Sequence, residues 1–106
     1  MRSLRLVAVV LTSLALLLGT SVPTQALTLV GNGKPNTLKG KGGNDTLKGK
    51  GGNDKLLGGG GNDKSLGGGG DDTIKSGAGD DVNDGGAGND LVKAGDGNDV
   101  ITGKGG

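Results

Sequence analysis

From Gly40 to Thr102 the chain repeats itself every nine residues, seven times, without insertion or deletion. The units read GKGGNDTLK, GKGGNDKLL, GGGGNDKSL, GGGGDDTIK, SGAGDDVND, GGAGNDLVK and AGDGNDVIT. A fixed short period makes each unit a copy that buries its apolar side only against its neighbours. That restricts the chain to a stacked, quasi-one-dimensional architecture. One place is Asp in every unit: Asp45, Asp54, Asp63, Asp72, Asp81, Asp90 and Asp99. A Gly precedes each by two residues, from Gly43 to Gly97. Two residues after the Asp stands an aliphatic, at Leu47, Leu56, Ile74, Val92 and Ile101, with Ser65 and Asn83 as exceptions. The consensus is G-G-x-G-x-D-x-U-x, where U is aliphatic.

Each place has a chemical reason. Glycine at up to four of the first four places lets a loop take positive φ and turn its carbonyl oxygens inward without Cβ collisions. Carbonyls and Asp carboxylates are all-oxygen donors, the set preferred by calcium, which takes six to eight of them. The three residues after the turn, such as Thr73-Ile74-Lys75, form a short strand whose middle side chain faces in and whose outer two face solvent. The inward column is then Leu38, Leu47, Leu56, Ile74, Val92 and Ile101.

Over residues 31–106 the sequence resembles the RTX, or haemolysin-type, calcium-binding repeat family. The resemblance implies an all-β, right-handed parallel β-roll, a β-helix-like solenoid in which two nonapeptides complete one turn. It further implies that each calcium lies between loops two units apart. The Asp pairs would be 45/63, 63/81 and 81/99 on one edge, and 54/72 and 72/90 on the other. That is about five full sites, formed by Asp45, Asp54, Asp63, Asp72, Asp81, Asp90 and Asp99 with carbonyls of the neighbouring Gly-rich loops. Departures are local. Lys41 and Lys50 replace the second Gly and bring positive charge near the loops, which predicts weaker sites there. Ser76 and Ala94 replace the first Gly and are small enough to be tolerated. Ser65 and Asn83, two units apart, are placed to share a hydrogen bond.

Composition excludes much else. The chain has 27 Gly, no Cys, no His and no aromatic residue, and its 11 acids are all Asp. So little apolar surface does not compensate the backbone entropy of ordering, so something besides a core must stabilise the fold. Absent Cys excludes disulfides and thiolate sites. Without His, Cys, Glu or Tyr a catalytic array is hard to assemble, and no enzyme is expected. From Leu27 onward 10 Lys and 11 Asp leave a charge of −1, so net charge gives no reason to expect nucleic acid or an acidic membrane as partner.

The ends differ from the array. Residues 1–26 have the order of a secretory signal peptide: Arg2 and Arg5, an apolar run over Leu6–Leu18, then Thr24-Gln25-Ala26 before the expected cleavage. The apolar run is too short to span a bilayer, so no stable membrane insertion is expected after cleavage, and the product is expected outside the cell. Residues 27–30 form a short lead-in that could be a first strand. Residues 31–39 (GNGKPNTLK) are a degenerate first repeat with Asn36 in the Asp place, read as a cap. Residues 103–106 are a partial repeat. The expected role is a calcium-driven structural, adhesive or exoprotein-associated module. The alternatives are a glycine-rich disordered surface or matrix protein, or a fragment of a larger RTX exoprotein whose effector domain is absent.

Overall fold

The computed structural model describes residues 25–104, so most of the expected leader, residues 1–26, lies outside the described residues. Those residues form nine strands: β1 (Thr28–Val30), β2 (Thr37–Lys41), β3 (Thr46–Lys50), β4 (Lys55–Gly60), β5 (Lys64–Gly68), β6 (Thr73–Ala78), β7 (Val82–Asp84), β8 (Leu91–Asp96) and β9 (Val100–Thr102). Successive strands go to opposite sheets, in the orders β1-β3-β5-β7-β9 and β2-β4-β6-β8. All pairings are parallel and join residues eighteen apart, as in Leu47↔Ser65 and Ile74↔Val92. Two units therefore make one turn of an all-β solenoid. The nine-residue period is one strand plus one turn, and each turn delivers the next strand to the other sheet.

The strands run further than three residues. β4 and β6 are six residues long and take in the first places of the following unit. The inward-outward alternation continues through them, so Gly40, Gly49, Gly58, Gly67, Ser76 and Gly85 are buried. Most units thus send two residues inward, an aliphatic and a very small one. Leu47, Leu56 and Ile74 are fully buried, and Leu29 of the lead-in joins them, which extends the inward column one place before Leu38. Leu38 and Val92 pack against this core while half-buried. Ile101 belongs to the same column by register with Asn83 but is 53% exposed, because no described strand stacks beyond β9.

Ser65 and Asn83 also fill the column, fully buried and paired in register. They do not share the hydrogen bond expected of them. The Ser76 hydroxyl donates to Asn83 Oδ1 instead, while Ser65 Oγ and Asn83 Nδ2 have no partner. The reason lies in the second inward place: Ser76, from the opposite sheet, reaches Asn83 across the interior.

Candidate metal centre

The turns of alternate units stack along the two edges of the roll, and backbone N–H groups lock the Asp side chains into rows. On one edge Asp45 N–H donates to Asp63 Oδ1 at 2.8 Å, Asp63 to Asp81 at 2.7 Å and Asp81 to Asp99 at 2.9 Å. On the other edge Asp54 donates to Asp72 and Asp72 to Asp90, both at 2.8 Å. The fold brings together the five pairs that a two-unit turn implies. Asp45, Asp54, Asp63, Asp72 and Asp81 are at most 3% exposed. Asp90 and Asp99, at the far end of the stack, are half-buried.

Each buried Asp spends one oxygen on this ladder and leaves the other free. The Oδ2 atoms of Asp45, Asp54, Asp63, Asp72 and Asp81 are buried with no hydrogen-bond partner. A single buried polar atom without a partner is costly, and five in two regular rows are a donor set suited to a cation. Four of them lie beside a backbone carbonyl. Beside the Gly40 Cα, the space a side chain would fill is bounded by Asp45 Oδ2 and the Gly58 carbonyl oxygen. The same cradle recurs with Asp54 and Gly67, Asp63 and Ser76, and Asp72 and Gly85. Among the described residues no three acidic side chains converge, so carbonyls must complete any coordination shell. Carboxylate plus carbonyl oxygen, with no nitrogen or sulfur donor, fits a calcium ion.

The degenerate unit differs at this point. Asn36 Oδ1 takes the equivalent position beside Gly31, facing the Gly49 carbonyl, but it already accepts the Asn32 N–H at 2.8 Å. That oxygen is neutral and satisfied, while Asn36 N–H continues the ladder to Asp54 Oδ1.

Burial sets the electrostatics. It pushes Asp63 up from 3.8 to about 6, with the Asp45 N–H pulling down and the Asp45 and Asp81 carboxylates adding upward pressure. Asp45, Asp54, Asp72 and Asp81 are raised by the same first cause. The folded roll without metal therefore holds protons more tightly than the unfolded chain. Its stability is greatest in acid and falls as pH rises from 3.8 through about 6. In chelator, an acid-to-neutral titration by circular dichroism is expected to show β-structure disappearing over that window. A β signal that grows with pH would contradict it.

Two features of the loops were not drawn from the repeat. The residue before each Asp forms a second, exposed ladder: Asn62 N–H donates to Asn44 Oδ1, Asp71 to Asn53 and Asp80 to Asn62. Its signal was present, since that place is Asn or Asp in all seven units. Lys41 and Lys50 hold φ of 83° and 81°, a left-handed backbone that costs a residue with a Cβ roughly 1–2 kcal/mol. Both are exposed. The next residues in their rows, Gly59 and Gly68, have no such latitude, because a Cβ there would strike the Lys41 or Lys50 carbonyl.

The family model described as "RTX calcium-binding nonapeptide repeat (4 copies)" matches residues 30–65, 58–92 and 84–106. The chain belongs to the RTX calcium-binding repeat family. RTX repeats are calcium-binding structural units rather than catalytic ones, and the solenoid with its rows of buried Asp accords with that. No curated protein and no solved structure matches this RTX chain.

Proposed function

We propose that the chain is a calcium-binding structural module in which each ion is held between loops two units apart in a right-handed roll. One observation carries the reading: the five buried, partnerless Oδ2 atoms, each the N-terminal member of one Asp pair. Asp45, Asp54, Asp63, Asp72 and Asp81 would hold the ions, joined by Asp90 and Asp99 and by loop carbonyls such as those of Gly58 and Gly67. Calcium supplies positive charge and a wide oxygen shell there, without redox or catalytic chemistry. With the leader expected over residues 1–26, the module acts outside the cell, where N-terminal sequencing of exported material is expected to begin at Leu27. Retention of Met1 would argue for an anchor instead.

The test is stoichiometry. Asp63 and Asp81 each belong to two pairs, whereas Asp45 belongs to one. Calcium counted by equilibrium dialysis is expected near about five per chain. Asp63→Ala or Asp81→Ala should remove about two ions, and Asp45→Ala about one, because a shared ligand serves two sites. Equal losses from all three variants would reject the shared-ligand arrangement.

A further inference from the structure

The two outer faces of the roll are chemically unequal. On the four-stranded sheet the outward side chains include Lys39 and Lys41 of β2, Lys55 of β4, Lys75 of β6 and Lys93 of β8, all exposed. No acid shares those outward places, and Asp96 appears only at the tip of β8. On the five-stranded sheet the outward set has Lys48, Lys50 and Lys64, and Asp84 interrupts it. Register makes the first set a pattern. Lys75 lies directly beside Lys93, and Lys39 lies two strands from Lys75 through Leu57. With strands spaced about 4.8 Å apart, cations recur at one- and two-strand intervals along the roll axis. Lys55 sits between Thr37 and Thr73 in the adjoining row. Beyond the lysines, Gly59, Gly77 and Gly95 continue the strands without side chains, so the face is flat and shallow.

We propose that this face binds an acidic polysaccharide, an extended chain carrying carboxylate or sulfate groups at regular intervals. Periodic ammonium groups interleaved with Thr hydroxyls complement periodic anions and sugar hydroxyls. Other polyanions fit less well. The chain has no aromatic residue to stack on bases. Its described cations are all Lys, lacking the planar fork that grips phosphate in two places. A flat sheet enters no groove. An anionic bilayer would find only Leu57, half-buried, and Leu91 to insert on this face. The attraction is that of solvated charges, so it weakens as salt rises. The face exists only in the folded roll, so the proposal rests on the calcium-bound module proposed above.

The experiment uses the full chain in calcium, with circular dichroism reporting folding in every arm, and dextran sulfate as the probe. Wild-type protein is expected to bind dextran sulfate at low salt and not neutral dextran. Lys39→Gln/Lys75→Gln/Lys93→Gln should lower affinity by roughly tenfold or more. Lys48→Gln/Lys50→Gln/Lys64→Gln, with the same change in net charge on the opposite face, should lower it far less. Equal losses from the two triples in folded protein would overturn the face assignment and leave the calcium reading standing. Equal or tighter binding to duplex DNA or to phosphatidylglycerol vesicles would overturn the polysaccharide assignment. A chain that stays unfolded in calcium would overturn both readings.

Discussion

In chelator at neutral pH the protein is expected to be an expanded coil, and in millimolar calcium a compact β-structure. The interior explains why the effect is all-or-none. Its fully apolar part is Leu29, Leu47, Leu56 and Ile74, each contributing roughly 1.5–3 kcal/mol when buried. Against these stand the ordering of a chain with 27 Gly, whose backbone loses the most freedom on folding, and an interior interrupted by Ser65 and Asn83. The Asp rows add a larger obstacle. At neutral pH Asp63, with a pKa raised to about 6, must ionise in a buried row between Asp45 and Asp81. An uncompensated buried charge disfavours the folded state strongly. A divalent cation turns that repulsion into attraction and uses oxygens that are assembled only in the roll, so its binding free energy becomes folding free energy. Magnesium should substitute poorly, because it demands tighter octahedral geometry than a row of carbonyls and carboxylates provides. Hydrodynamic radius and circular dichroism, measured in chelator and then in calcium, decide the matter. A compact, β-rich protein in chelator at neutral pH would show that the core suffices without metal.

Much of this architecture is legible in the sequence because the period does the work. Nine residues per unit, with Asp at one fixed place, dictate one strand and one turn, and the stack follows. The Asp rows come from the resemblance to the RTX family, which implies two units per turn, and the observed pairings do join residues eighteen apart. What the period does not disclose is depth. Leu29 lies outside the intact units, yet it is buried because it pairs with Leu47. Ile101 has the second and fourth Gly and the Asp of its unit in place, yet it is exposed because burial depends on what stacks next. The strand boundaries were hidden for a related reason. Glycine reads as loop, and the first-place glycines Gly40, Gly49, Gly58 and Gly67 are instead strand residues, small because a carboxylate oxygen and a carbonyl occupy the room a side chain would take. The partner of Asn83 was hidden as well. It comes from the opposite sheet, and spacing along one sheet gives no access to contacts across the interior.

The lysines illustrate the same limit. Lys41 and Lys50 read as charge placed near loops, and their exposure agrees with that. Their backbone was not legible, because positive φ at a residue with a Cβ leaves no trace in composition. It becomes intelligible only from the row: the residues stacked one turn beyond these two are Gly59 and Gly68, and the Lys main chain lies where a side chain on either would otherwise have to fit. One face accumulates cations for a reason that is likewise visible only after folding, since outward places of alternate units gather on one sheet and the sequence interleaves them with those of the other.

The sharpest test of the stacking is carried by two adjacent glycines, Gly60 and Gly61. Within GGGGNDKSL alone they look alike, and only the other units show that the place of Gly61 is always Gly while that of Gly60 varies. In the roll Gly61 has φ of 101°, and a Cβ added there would fall against the Gly43 carbonyl of the turn beneath. Gly60 has no positive φ, and a Cβ there meets nothing within 4 Å. Gly61→Ala is therefore expected to lose roughly 1–3 kcal/mol from backbone strain alone. The loss should be greater once the collision is included, because the obstructing atom is main chain and cannot rotate away. Relief requires the two turns to separate, which also parts Asp45 from Asp63 and the ladder between them. Gly60→Ala should be neutral, or stabilising by about 0.4–1 kcal/mol, since Ala restricts the unfolded chain without straining the folded one. The measurement is denaturant unfolding of both variants in saturating calcium, together with calcium affinity. The expected result is a large loss of stability and weakened calcium binding for Gly61→Ala only. Equal destabilisation of the two would mean that the turns do not stack at this spacing. The same contrast accounts for the form of the repeat. The second and fourth places abut a carbonyl one turn below and the first abuts a carboxylate, whereas the third faces open space. That third place is where Ala78, Ala87 and Asp96 stand without disturbing the stack.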